Sequence, residues 1–448
     1  MTDFLDELRW RGLLHQSTGE DALDRHLATP GRVGYCGFDP TADSLTIGNL
    51  VPILLLRRWQ LAGHVPVALS GGATGLVGDP SGKDAERQLR TREEVEANVA
   101  AQRPIFERLL DFSPGISNPA RLVDNLEWWG GMRFIEVLRD IGKHFSVNEM
   151  IRRDSVRTRL EGREHGISYT EFSYMILQAH DFLHLHRTIG CTVQLAGSDQ
   201  FGNIVSGIDL IRRAAARERG EDGGGAAGES PEAHEPEAFA ITAPLVTRAD
   251  GQKIGKTADG AIWLTADRTS PYRFHQYWMN VSDEDVGSML RIFTFLGRAE
   301  IEDLLAGHAE APQRREAQRV LAAEVTDLVH GPTERERAER AAEALFTGEV
   351  AGLDPAQLGM VAAEVPSSEA ARARLGADGG LPLTELLPET SLASSRREAR
   401  EFLGSGAISV NGAKVAADAA LVADDLLPGG LVLLRRGRRH WHAVRFTD

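Results

Sequence analysis

Two lysines three residues apart, Lys253 and Lys256, stand in the Gly-containing stretch DGQKIGKT, Asp250 to Thr257. As mobile point charges they can converge on one polyphosphate, although most such pairs are merely exposed. A second stretch, YCGFDPTADSLTIGNL from Tyr35 to Leu50, ends a strand in Gly37, turns through Asp39-Pro40-Thr41 and enters a helix near Ile47-Gly48. Small residues there let backbone approach a ligand, and a helix N-terminus favours phosphate. Alone, the stretch reads equally well as a tight strand-to-helix turn. A third, GGATGLVGDPSGK from Gly71 to Lys83, invites a P-loop assignment and fails it. Val77 stands where the first Gly is needed, and Asp84 follows Lys83 in place of Ser or Thr. With no G-x-G-x-x-G in it either, a Walker ATPase and a dinucleotide dehydrogenase both lose support.

The segment YTEFSYMILQAHDFL places Tyr174, Gln178 and Asp181 at i, i+4 and i+7, on one helical face. A buried Asp among apolar residues needs a partner, and convergent polar groups in an apolar setting suit a ligand pocket better than a plain core. No Ser/His/Asp or Cys/His arrangement for nucleophilic catalysis is evident. The chemistry on offer is positioning and charge stabilisation around phosphate.

The elements that must hold these groups read as a parallel α/β domain. VPVALSGGATG and CTVQLAGSDQFGN each run from a strand into a Gly-containing loop, while LVPILLLRRWQLAG and NIVSGIDLIRR have helical periodicity. Ligands in such domains sit at the carboxyl ends of the strands. Residues 217–237, rich in Gly, Pro and Glu, predict a disordered insertion. The expected organisation is a catalytic domain over 1–281, an α-helical domain over 282–350, a linker over 351–380 and a small α+β module over 381–448. In that module Ser395-Arg-Arg-Glu398 is a capping box opening a helix, and Asn411-Gly412 is a tight turn between two strands. Residues 391–448 are locally basic, and Arg396, Arg397, Arg400 and Lys414 could line one face. On pattern alone, a solvated face and an RNA contact have equal weight.

Composition bounds the rest. With 50 Lys and Arg against 65 Asp and Glu the formal charge is −15, which argues against a protein whose whole surface coats nucleic acid. Two cysteines, Cys36 and Cys191, make no disulfide framework or zinc site by themselves. No apolar run is long enough for a membrane span, and the acidic start reads as an amphipathic helix rather than a signal peptide. Cytoplasm is the default.

Taken together, the segments resemble a known family. Tyr35 to Leu50 is similar to the first signature of class I aminoacyl-tRNA synthetases, and Lys253 to Thr257 to their second. YCGFDPTADSL, GGATGLVGDPSGK, YTEFSYMILQAHDFL, GSDQFGN, DGQKIGKT and TSPYRFHQYW follow the order of the bacterial type of tyrosyl-tRNA synthetase. The resemblance implies a Rossmann-like catalytic domain, a helical domain and a terminal S4-like RNA-binding domain. It implies formation of tyrosyl-adenylate from tyrosine and ATP, then transfer to the 3′ end of tRNA. Tyr35 and Asp181 would bind the phenol hydroxyl, Asp79, Tyr174 and Gln178 the ammonium, with Asp39 and Gln200 lining the same cavity. Cys36, Gly37, Gly48, Asn49, Asp199 and Lys256 would take ATP. Thr41, Thr46, Lys83, Arg87, Lys253, Lys256 and Thr257 would carry the catalysis. Arg152, Arg153, Arg157 and the terminal module would meet tRNA. Magnesium is expected with ATP, with no protein metal site and no tightly bound cofactor. A homodimer is implied, with Trp128 to Met150 as its interface, although core packing explains Trp128 and Trp129 equally well. Thr46 departs from the family's usual histidine: it keeps one neutral donor and loses the charge, which would shift the phosphate load towards the lysine loop. Two other readings stay open, an RNA-binding protein that has lost the chemistry and an enzyme activating tryptophan.

Overall fold

The computed structural model describes residues 4–79, 89–153, 156–157, 167–219, 237–257, 260–350, 352–376 and 380–448. Its contacts form two units, Met1–Arg268 with Ser282–Ala317, and Thr269–Val281 with Gln318–Asp448.

The first unit is built on a six-stranded sheet. Its strands are β1 (Gln16–Ser17), β2 (Val33–Phe38), β3 (Val65–Ser70), β4 (Arg121–Asp124), β5 (Cys191–Gly197) and β6 (Phe239–Ala243). The order is β1-β6-β5-β2-β3-β4, with every pair parallel except β1 on β6. All six residues of β3 are buried, as expected of a strand covered on both faces. Helices Ile47–Leu61, Arg92–Leu109, Tyr169–Ile189 and Phe201–Glu218 lie between successive strands. The chain leaves β2 towards β3 and β4, then returns on the other side of β2 as β5. That reversal opens a crevice at the carboxyl ends of β2 and β5. Packing behind it is close: a Cβ on Gly34 would come within 2.7 Å of the Trp59 ring.

Residues 282–317 pack with this sheet and not with the helices that follow, so the expected helical domain 282–350 is divided between the two units. Two buried arginines are the reason. Arg58 donates to the carbonyls of Ile292 and Thr294 at 3.0 and 2.7 Å, and Arg11 to those of Arg291 and Leu296, both at 2.8 Å. The carbonyls left open at the end of helix Asp283–Phe293 are thereby satisfied. Burial, with Arg11 alongside, pushes Arg58 down to about 9.

The second unit contains helices Pro271–Met279, Pro332–Thr347 and Pro355–Ala363 and a five-stranded sheet. The sheet order is Ala413–Lys414, Ile408–Val410, Leu431–Arg436, His440–Thr447, Ser367–Ala371, and only the last pair is parallel. The stretch expected to be a linker, 351–380, thus supplies a helix and an edge strand. Its Leu358 and Val361 are buried against Ala341, Ala344 and Trp441. Arg435 and Trp441 cap helix Pro332–Thr347 by donating to the carbonyls of Thr347 and Leu345 at 3.0 and 3.1 Å. The predicted Asn411-Gly412 turn forms with φ of 47° and 88°, both left-handed, the geometry a two-residue hairpin requires. Ser395 caps Arg396–Gly404, but the Glu398 carboxylate reaches back to Ser394 instead of closing the box.

The expected insertion 217–237 starts later than predicted. Arg217 and Glu218 are helical, and Arg219 pairs with Glu237 at 3.0 Å, while 220–236 lie outside the described residues. Among the described residues no helix is long and apolar enough to cross a membrane.

Arg58→Ala removes its bonds to the Ile292 and Thr294 carbonyls, of which only that of Thr294 keeps Arg11 as a donor, at 3.1 Å, and each lost bond from a charged group is worth about 1.5–3 kcal/mol. Urea unfolding followed by circular dichroism is expected to show a loss of about 3 kcal/mol or more.

Candidate active site

A cavity of about 510 Å³ occupies the crevice at the ends of β2 and β5. It brings together Tyr35, Cys36, Gly37, Asp39, Thr41, Thr46, Gly48, Asn49, Asp79, Tyr174, Gln178, Asp181, Asp199, Gln200, Lys253 and Lys256. Of the other expected groups, Lys83 and Arg87 lie outside the described residues, and Thr257 lies in a short strand pair with Gly260–Ala261. Arg396, Arg397, Arg400 and Lys414 belong to the second unit.

Asp181 is 1% exposed. Trp128 and Trp129 both donate their indole N–H to its Oδ1 at 2.8 Å, and Asn125 donates to Oδ2 at 2.9 Å. Each indole is backed by a histidine: Trp128 stacks on His184 with ring centres 4.3 Å apart, and Trp129 meets His180 edge-on at 4.7 Å. Burial outweighs these donors and pushes the Asp181 carboxyl up to about 7. Beside it the Tyr35 hydroxyl is buried and has no partner among the described residues. Burial and the neighbouring Asp181 charge hold it protonated. An acceptor carboxylate next to an unused phenolic donor is the complement of a hydroxyl that both donates and accepts.

A second cluster carries negative charge. Tyr174 donates to Asp39 Oδ2 at 3.1 Å and Thr74 to Asp39 Oδ1 at 2.8 Å. Gln200 donates to Asp79 at 2.8 Å, and Asn203 donates to Gln178 at 3.0 Å. With its donor spent on Asp39, Tyr174 can only accept, so this group of acceptors fits an ammonium. Gly71 is required here, because a Cβ would lie 2.5 Å from the Asp39 carboxylate.

The third part is the meeting of the two signature segments. The N–H of Ile47 donates to the carbonyl of Ile262 at 3.1 Å, and the N–H of Ile262 to that of Gly255 at 2.9 Å. Gly255 has φ of 76°, and a Cβ there would sit 3.2 Å from that of Ile47, so glycine is needed on both counts. Lys253 and Lys256 flank this contact, exposed and without an ion-pair partner among the described residues. Asp285 steadies the base of their loop by accepting from the Ala249 N–H at 2.8 Å. At Thr46 the expected free donor is absent. Its hydroxyl donates to Asn49 Oδ1 at 2.9 Å, and so does its backbone N–H at 3.1 Å. Pro52 lines the cavity and, lacking an N–H, gives no helical bond to the Gly48 carbonyl. Cys36 is buried, and burial raises its thiol.

Sequence reasoning missed Thr74, Asn125 and the role of Trp128 and Trp129. The adjacent tryptophans, expected at an interface or in the core, pack against the core and donate to Asp181. Arg153, expected to meet tRNA, is half-buried and lies 3.6 Å from Asp209.

Known proteins can now be set beside this geometry. The family described as tRNA synthetases class I (W and Y) matches residues 31–347, and the tyrosine–tRNA ligase SYY-like C-terminal domain matches 357–444. The tyrosine–tRNA ligase of Geobacillus kaustophilus is 48% identical over 446 residues, spanning 99% of this chain and 100% of the relative. That of Roseiflexus castenholzii is 46% identical over 448 residues and spans all of both chains. The solved C-terminally truncated mitochondrial tyrosyl-tRNA synthetase of Coccidioides posadasii is 33% identical with a TM-score of 0.64, covering 76% of this chain and 92% of that one. The fold and the match over 31–347 place the chain among the class I aminoacyl-tRNA synthetases of the tryptophan and tyrosine type. Full-length identity then narrows this, and the chain belongs to the tyrosine–tRNA ligase family.

An ionised Asp181 can accept a hydrogen bond from a hydroxyl bound beside it, whereas its protonated form would compete with that donor. Because burial raises this carboxyl to about 7, the accepting form is lost as pH falls through that value. His180, lowered to about 4, stays neutral throughout. Tyrosine affinity, read by tryptophan fluorescence, is therefore expected to be about tenfold weaker at pH 6 than at pH 8. Asp181→Asn should bind weakly and without that pH dependence.

Proposed function

We propose that the cavity carries out both steps of tyrosine–tRNA ligation, with Asp181 and Tyr35 reading the phenol, Asp79, Tyr174 and Gln178 holding the ammonium, and the lysine loop holding ATP. The tyrosine carboxylate attacks the α-phosphorus of ATP, the bond to the bridging oxygen breaks and pyrophosphate leaves. A ribose hydroxyl at the 3′ end of tRNA then takes the tyrosyl group and AMP departs. An attacking group that is already an anion needs no protein nucleophile and no base. What the residues supply is alignment and positive charge. The observation that carries this reading is the buried Asp181–Tyr35 pair. It offers one acceptor and one unused donor; with phenylalanine the Tyr35 donor stays unpaired and Asp181 gains nothing beyond its three protein donors. A tryptophan side chain would supply no hydroxyl to the Tyr35 donor.

ATP is taken as its magnesium complex. Among the described residues there is no group of three or more His, Cys, Asp or Glu that could hold a metal ion, and no step is assigned to the ion. For tRNA, all four residues of the terminal basic set are exposed, and Arg397 and Arg400 are the two with no polar partner among the described residues. Arg396 is paired with Glu385 at 3.2 Å, and Lys414 donates to the Gly406 carbonyl at 2.6 Å. The protein works as a homodimer in the cytoplasm. Support for a second copy comes from Phe134, Ile135, Leu138 and Val147, which are 61%, 71%, 44% and 58% exposed within one stretch.

Tyrosine-dependent ATP–pyrophosphate exchange without tRNA tests the reading and separates it from an RNA-binding protein that has lost the chemistry. Lys253→Ala and Lys256→Ala should each lower the rate about 10²–10³-fold with tyrosine KM little changed. Exchange supported by tryptophan in preference to tyrosine would overturn the substrate assignment. Sedimentation is expected to give twice the 48.8 kDa chain mass, and the double variant Phe134→Asp, Ile135→Asp to give the single mass.

A further inference from the structure

We propose that Thr46 is a positioning residue that aims the Asn49 amide at ATP and makes no phosphate contact of its own. The inference rests on the reading of the cavity as an ATP site and adds to it a division of labour between two side chains.

Asn49 Oδ1 accepts twice from one residue, from the Thr46 N–H at 3.1 Å and from the Thr46 hydroxyl at 2.9 Å. A peptide nitrogen can only donate, so the side-chain atom facing it must be the oxygen. The amide has one orientation, with Nδ2 turned away from Thr46. Asn49 lines the cavity, and Nδ2 donates to none of the described residues. Two N–H donors are therefore held ready for an acceptor from outside the chain. The Thr46 hydroxyl has one proton, and it is spent on Oδ1. What remains on that oxygen is lone pairs, which repel phosphate oxygen instead of binding it. Thr46 is itself well placed to aim a neighbour. It forms a backbone bridge with Trp263, next to the Ile262 that is bonded to both Ile47 and Gly255. The direction of the Asn49 amide is thus referenced to the segment between the two lysines. A neutral hydroxyl at this position can work without the charge of an imidazolium because its task is to orient a donor.

The test is a double-mutant cycle in ATP–pyrophosphate exchange, with ATP affinity by calorimetry as a second readout. Thr46→Val and Asn49→Ala are each expected to lower kcat/KM for ATP about tenfold, the scale of one neutral hydrogen bond, with tyrosine KM unchanged. Thr46→Ser should recover most of the loss. If Thr46 acts only through Asn49, Thr46→Val on top of Asn49→Ala costs less than about twofold more. Asn49→Asp isolates the amide: it still accepts both Thr46 donors, so the melting temperature stays at or above the parent's, yet it presents an oxygen to ATP and activity falls at least tenfold. Losses that multiply to about a hundredfold in the double variant, or parent-like activity in Asn49→Asp, overturn the proposal. A parent without tyrosine-dependent exchange sinks the ligase reading instead, and the same cycle in ATP affinity then still decides the role of Thr46.

Discussion

A carboxylate with 1% exposure is tolerable only where donors surround it, and the site is arranged around supplying them to Asp181. The donors come from two neighbouring points. Asn125 follows β4 directly, and Trp128 and Trp129 lie in the short helical turn after it. Three donors do not fully offset burial, since the carboxyl still lies near 7. On the proposed function, a substrate hydroxyl would add a fourth hydrogen bond where it is most needed. An analogue without one leaves the carboxylate short, and leaves the Tyr35 donor with nothing to meet. Specificity follows from an incompletely satisfied charge, a different basis from the shape of an apolar slot.

The same carboxylate ties the sheet ends together. Asn125 also donates to Thr74 Oγ1 at 3.2 Å and accepts from the Ala73 N–H at 2.7 Å, while Thr74 donates to Asp39 and Asp39 receives Tyr174. One chain of hydrogen bonds therefore runs from the loop after β2, through the loop after β3 and the end of β4, to helix Tyr169–Ile189. These segments are distant in sequence, and the strand order β5-β2-β3-β4 makes them neighbours. The sheet topology is thus what allows the buried Asp181 carboxylate and the Asp39–Tyr174 cluster to share one network.

Legibility in the sequence followed locality. Tyr174, Gln178 and Asp181 could be grouped because one helix carries them and its period is known. The strand–loop–helix units and the Asn411-Gly412 hairpin were legible for the same reason. Asn125, Trp128 and Trp129 were not, because their partner is more than 50 residues away and adjacent tryptophans read as core. The stretch 351–380 is rich in Ala and Gly and reads as a linker, yet its few larger apolar residues, Leu358 and Val361 among them, are spaced for one helical face. Residues 282–317 were placed with the wrong body because periodicity reports that a helix buries a stripe, not against what. Two buried guanidiniums settle that question, and buried arginines are the residues a composition-based reading assigns to the surface.

Protonation in the cavity is consistent with chemistry that moves no proton at the reacting centre. Burial keeps Tyr35, Tyr174 and Cys36 in their neutral, protonated forms and keeps His180 neutral. Of these groups and Asp181, only Asp181 titrates near neutral pH, and three of its roughly four acceptor sites are taken by the indoles and the amide. A general base would need both a free lone pair and access to the attacking atom. A carboxylate nucleophile meets phosphorus already ionised, so the absence of such a group from that set costs nothing. On the proposed function the burden would pass to the lysine loop and the Asn49 amide, whose segments are joined by backbone hydrogen bonds among Gly255, Ile262 and Ile47. Positioning by main chain, with mobile charge at its edge, is the physical form in which this fold delivers catalysis.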